Sequence, residues 1–208
     1  MNDARPSRRA TGPAAFKPLL REGSKVPAEW HGTYCLALPA EPRWVVLDYA
    51  AVMASRMALQ GLFDADDPWP PADLTQAEDE ADLAWHQREF AEGRSFAYSL
   101  FSFDRQRCLG CLYLYPTASP EHDGEAYLWT SRSEPAELRQ QIEKEVMQWL
   151  EQAWPFQALA WPGRRIPFRQ WSFANYYAEC REQSETVSSP ATTGQTLANS
   201  TGELPEGR

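Results

Sequence analysis

Hydrophobic positions along this chain change their period several times, and each change marks an element. Thr33–Leu38 (TYCLAL) is a short apolar run that predicts a strand, ended by Pro39. From Tyr49 to about Gln60 the spacing becomes helical. Tyr49, Val52, Met53 and Arg56 form one stripe, Asp48 is placed to cap the start, and Gly61 to end the last turn. A proline-broken loop, GLFDADDPWPPAD (61–73), follows. Thr75 and Glu78 have the T-x-x-E spacing of a capping box and open a second helix to about Glu92, with Ala77, Ala81, Ala84 and Trp85 as its apolar side. Ser95–Phe103 then alternates with a period of two, Asp104-Arg105-Gln106 turns, and Arg107–Tyr115 returns, which predicts a hairpin. A strand at Glu125–Thr130 precedes the strongest helical pattern, Glu134 to about Gln152. Its stripe is Leu138, Ile142, Val146, Trp149, Leu150 and Ala153, with Ser133 as a cap and Pro155 as a stop. Phe156–Trp161 (FQALAW) reads as a last strand. A hairpin feeding a strand–helix–strand unit predicts an α/β fold, a mixed sheet flanked by helices.

Composition sets the limits of the folded unit. The chain has 208 residues, 43% of them hydrophobic, which suits one packed core with tails. Residues 183–208 are rich in Ser, Thr, Gly and Pro and have almost no large apolar side chain, so they are expected to be a disordered tail. Residues 1–29 read the same way, leaving 30–182 as the domain. The first 30 residues carry six basic and three acidic groups, whereas the whole chain has a formal charge of −9. That balance argues against duplex nucleic acid as a partner. No apolar run is long enough to span a membrane, and the N-terminus lacks the apolar stretch of a secretory signal. A cytoplasmic location is the expectation.

The hairpin SFAYSLFSFDRQRCLGCLYLY, the strand EAYLWTSRS and the helix PAELRQQIEKEVMQWLEQA together resemble the Gcn5-related N-acetyltransferase (GNAT) family, over about residues 44–161. The resemblance implies an acyl-CoA N-acyltransferase-like fold in which two strands splay apart and acetyl-CoA, as co-substrate, lies in the gap. It implies transfer of an acetyl group to an amine on a small molecule or peptide, without a metal. The cofactor would run along Trp129, Thr130 and Ser131 and meet Arg132 and Ser133 before the next helix. The usual R/Q-x-x-G-x-G/A loop is here Arg132-Ser133-Glu134-Pro135-Ala136-Glu137, which has no glycine and places two acids near the anion site. A non-catalytic GNAT-like binding or protein-interaction module is the alternative.

Acetyl transfer needs a base for the amine, a donor to the developing oxyanion and an acid for the thiolate. On the resemblance, Glu125 is the candidate base and Tyr176 or Tyr177 the candidate acid. Asp66 and Asp67 with Trp69, in the loop joining the first two helices, suit a cationic acceptor. The aromatic group Trp161, Phe168, Trp171, Phe173, Tyr176 and Tyr177 offers a surface for a partner or a second copy, a homodimer. Cys108 and Cys111 have C-x-x-C spacing inside a strand. Strand alternation puts their side chains on opposite faces with Cα atoms roughly 10 Å apart, so they read as core residues. His31, His86 and His122 share no metal-ligand spacing and read as surface residues. Gly110, alone in its strand, marks a bulge or a close backbone approach.

Overall fold

The computed structural model describes residues 16–181. Its strands form one sheet in chain order: β1 (Trp30–His31), β2 (Leu36–Pro39), β3 (Phe96–Phe101), β4 (Cys108–Tyr115), β5 (Gly124–Thr130) and β6 (Leu159–Ala160). All neighbours pair antiparallel except β5 and β6, which run parallel. Helices α1 (Val45–Leu59) and α2 (Gln76–Ala91) link β2 to β3, and α3 (Ala136–Ala153) links β5 to β6.

Strand alternation divides the core in two. Tyr113, Tyr115, Tyr127 and Trp129 face one way, into a cluster with Val52 and Leu59 of α1 and Leu83 of α2. Leu112, Leu114, Ala126 and Leu128 face the other way, against Ile142, Val146, Trp149 and Leu150 of α3. The sheet is therefore mixed and covered by helices on both faces, the α/β architecture that the order of elements implied.

Several boundaries differ from expectation. Helix α1 starts at Val45, because the 3₁₀ turn Pro42–Trp44 runs straight into it. Asp48 is consequently inside the first turn and buried, not a cap. Ser133 does not cap α3 either; Pro135 holds that position with no side-chain bond. The capping box of α2 is present: Glu78 N donates to Thr75 Oγ1 (3.2 Å), and Thr75 N donates to Glu78 Oε2 (2.8 Å). The inward side of α2 is Asp79, Leu83, His86 and Glu89, not the alanines. Polar groups can line a core when partnered. Glu89 accepts from Arg94 Nε (2.8 Å) and Tyr176 Oη (2.9 Å). His86, expected at the surface, is 3% exposed and stacks on Tyr177 at 5.7 Å.

The C-x-x-C pair is also corrected. The β3–β4 register slips between Leu100 and Phe101, leaving Leu109 unopposed. Gly110 has φ +149°, a conformation that L side chains rarely adopt. This bulge turns Cys108 and Cys111 to the same face, beneath α1. Both are buried, and Cys108 Sγ lies 3.6 Å from Asp48 Oδ1.

Part of the segment expected to be an N-terminal tail packs on the domain. Leu19 is 4% exposed, Tyr98 Oη donates to Pro27 O (2.6 Å), and Phe16 meets Tyr176 edge-on. Residues 1–15 of the expected N-terminal tail and all of the expected C-terminal tail, 183–208, lie outside the described residues, as does Glu182.

Candidate active site

The sheet opens between β5 and β6. They pair only at Gly124↔Leu159 and Glu125↔Ala160, while β5 runs on to Thr130. Trp161 is followed by a tight loop in which Pro162 bridges to Ile166, so the chain leaves β5 behind. In a strand, each residue presents its N–H and C=O on the same edge, and the edge alternates. Ser131 N donates to Leu109 O on the β4 side, so Leu128 and Thr130 present theirs toward the gap. The result is a cleft of about 390 Å3 floored by the β5 edge from Ala126 to Thr130. The end of α1, at Ala58–Leu59, borders one side, and the start of α3 borders the other.

Charge in the cleft runs against the charge of the chain. Arg132, Arg139 and Arg164 line it, with Glu143 as the one acid among its lining residues. Arg139 Nε is buried and has no hydrogen-bond partner among the described residues. Helix α3 begins here, and the N–H groups of a first helical turn have no intrahelical acceptors and carry a partial positive charge. A narrow strand edge followed by a cationic helix start can hold a long polar ligand with an anionic end.

The loop between β5 and α3 is itself well satisfied. Arg132 N donates to Ser55 Oγ of α1 (2.9 Å), Ser133 N to Ser131 Oγ (3.3 Å) and Glu134 N to Ser131 O (3.1 Å). These bonds fix the loop without glycine. Both oxygens of Glu134 are engaged by Arg107 Nη1 at 2.5 Å, so this acid is neutralised and does not line the cleft. The anion must therefore be met by side chains and the α3 turn, because the loop amides at 132–134 are already spent.

One strap crosses the cleft. Arg164 Nη2 donates to Leu128 O (3.1 Å) and Nη1 to Glu143 Oε2 (2.8 Å), while Glu143 Oε1 accepts from Thr130 Oγ1 (3.0 Å). The guanidinium thus occupies the β5 carbonyl that an amide-bearing arm would use.

Of the residues singled out in the sequence, Trp129, Thr130 and Arg132 line this cleft; Ser131 and Ser133 shape its loop. Glu125, Tyr176 and Tyr177 do not line it. Glu125 is fully buried beneath the sheet, accepting from Thr117 Oγ1 (2.9 Å) and Tyr127 Oη (2.7 Å). Tyr176 reaches Glu89, and Tyr177 bonds Asp82 while accepting from Arg181 Nη1 (3.0 Å). Burial, with Asp82 beside it, pushes the Tyr177 hydroxyl well above its ordinary range. Asp66 is exposed, and Asp67 turns to its own loop, accepting from Trp69 N (3.1 Å). Trp69 packs on Phe63 and lines a separate groove. Of the expected aromatic docking face, Trp161, Trp171, Tyr176 and Tyr177 are buried and Phe168 and Phe173 are half-buried. Arg139 and Arg164 escaped sequence reading. Only the convergence of α3 and the post-β6 loop brings them to one cleft, and no local spacing signals it.

The β5–β6 pair that parts at one end is the splayed-strand arrangement that the sequence resemblance implied. No family model and no curated protein matches the chain. Among solved structures it is similar to a ribosomal-protein-S5-alanine acetyltransferase from Vibrio fischeri. The identity is 11%, over 61% of this chain and 69% of that one, with a TM-score of 0.46. A second is an acetyltransferase from Salmonella typhimurium that modifies the N-terminal serine of ribosomal protein L7/L12 (15%, 57% and 64%, 0.43). A third is a GNAT-family acetyltransferase from Streptococcus pneumoniae (16%, 57% and 67%, 0.36). No group of three His, Cys, Asp or Glu side chains among the described residues could hold a metal ion.

Proposed function

We propose that the cleft holds an acyl-CoA and that the protein transfers its acyl group, an acetyl in the simplest case, to an amine. The carrying observation is the β5 edge beyond Glu125, paired to no strand and crossed by the Arg164 side chain, that leads into Arg132, Arg139 and the start of α3. The arm of the thioester would bond along Leu128 and Thr130. Its phosphates would meet Arg132 and Arg139, whose unpartnered Nε is buried there. The backbone N–H of Thr130, which faces the gap, is the oxyanion donor, because charge develops where the thioester carbonyl meets this edge. Glu125 acts, in this reading, only through the Tyr127 hydroxyl that it holds. It is a positioning group.

A second reading has one observation in its favour. The loop 132–137 has no glycine and its amides at 132–134 are already bonded, which favours a GNAT-like binding or protein-interaction module without turnover. Isothermal titration with CoA, followed by thiol release from acetyl-CoA over a panel of amines, separates the two. Binding with release supports transfer, binding alone supports the module, and no binding overturns both.

A further inference from the structure

A second concavity lies beside α2, lined by none of the residues of the β5–β6 cleft. It is a groove of about 360 Å3 between the Trp69–Leu74 loop and α2. The indoles of Trp69 and Trp85 line it, together with the carboxylates of Glu78, Asp79 and Asp82. Asp79 is distinctive. It is 4% exposed, and its Oδ2 has no hydrogen-bond partner among the described residues. A buried carboxylate oxygen left unpaired is costly. Here the cost is increased by like charge, since Asp48 on α1 and Asp82 on α2 both act on Asp79.

The positive charge already at the groove is engaged by other groups, Arg181 acting on Glu78 and Asp82. Arg181 donates to Tyr177 Oη (3.0 Å) and lies 5.5 Å above the Tyr177 ring. His86 pairs with Asp82 at 3.4 Å. Arg88 lines the groove, yet Asp79 Oδ2 remains unmet. Indole faces beside a carboxylate suit an organic cation. The donor set does not suit a metal ion.

We infer that this groove binds a primary alkylammonium group, with Asp79 as its counter-ion and Trp69 and Trp85 as its walls. The site does not depend on what the β5–β6 cleft binds. Phe63 stands between the two, its ring 5.8 Å from Trp69 and 5.2 Å from Tyr127 of β5. Without a ligand, Asp79 keeps its proton at neutral pH, because burial and then Asp48 and Asp82 push its pKa up to about 8. A bound ammonium replaces that proton, which passes to the buffer. Glu78, Asp82, His86, Arg88 and Arg181 on the groove side, and Asp48 behind it, are the titratable and charged groups that face this exchange.

The test is calorimetric titration of the full chain with 1,5-diaminopentane at pH 7, in two buffers of different ionisation enthalpy. The neutral isostere 1,5-pentanediol is the control. Expected are saturable binding of the diamine, none of the diol, and release of close to one proton. Asp79→Asn should weaken binding at least tenfold and abolish the proton release while raising the melting temperature. Trp85→Leu, which leaves the carboxylates in place, should weaken binding severalfold. Absence of diamine binding, equal binding of the diol, or unchanged affinity in Asp79→Asn overturns the inference. If Asp79→Asn does not fold, wild-type proton release and Trp85→Leu decide, and failure of either overturns it.

Discussion

Two buried acids set how the domain responds to pH. Burial raises Asp48 to about 6 and Asp79 to about 8, against an ordinary value of 3.8. Between pH 4 and 8 the unfolded chain has therefore lost protons that the folded chain keeps. Stability from these groups is full below about pH 4 and falls as pH rises through 6 and 8. Asp123, held low by the N–H groups of Ala158 and Gln157, acts in the opposite sense below pH 4. Urea unfolding should therefore show greatest stability near pH 4 and a progressive loss as the pH is raised to 9. Asp79→Asn should flatten the fall above pH 7; a fall of unchanged size would contradict the assignment. At the cleft, Arg164→Ala removes the strap from Leu128 O. Affinity for pantetheine, which lacks the nucleotide, should rise severalfold, while Arg139→Ala should weaken CoA at least tenfold and leave pantetheine unchanged. Titration of both variants with both ligands checks this.

Among the elements, the β4 bulge has the largest structural consequence. A Cβ on Gly110 would stand 2.0 Å from Trp129 O and 2.9 Å from Thr130 Cα, both backbone atoms of the strand that floors the cleft. Gly110→Ala should thus cost about 2–4 kcal/mol, combining this clash with the positive φ, and a melting temperature within 2 °C of wild type would refute the geometry. Ser55→Ala should cost about 1 kcal/mol by orphaning the Arg132 N–H, and should also loosen anion binding. Sequence patterning located these elements but not their inner faces. The stripe of α3 was readable because Ile142, Val146, Trp149 and Leu150 are apolar and spaced for one face. The inner face of α2 was not, because Asp79, His86 and Glu89 are buried through partners or a neighbouring charge cluster that only the fold assembles. Alternation placed Cys108 and Cys111 on opposite faces until one bulge residue reversed it.

For the molecule as a whole, the two faces of the sheet have different tasks. The α3 face is an apolar packing surface, and the α1–α2 face carries the buried acids, tyrosines and His86. The cleft lies where the sheet parts at one edge, so the strand edge and the arginines belong to different elements. The family resemblance pointed to Trp129, Thr130 and Arg132, where a strand leads into a helix, and all three line the cleft. Arg139 and Arg164 were not, since nothing in their local sequence records their meeting. The central claim is that this cationic gap in a net-acidic chain receives a CoA thioester. Its most direct measurement is the melting temperature during titration with acetyl-CoA, at low salt and at 0.5 M salt. A ligand at a hundredfold its dissociation constant adds about 2.7 kcal/mol to the native state. The account predicts a rise of several degrees at low salt, diminished at high salt and abolished in the Arg132→Ala/Arg139→Ala double variant. A melting temperature unmoved by millimolar acetyl-CoA would contradict it.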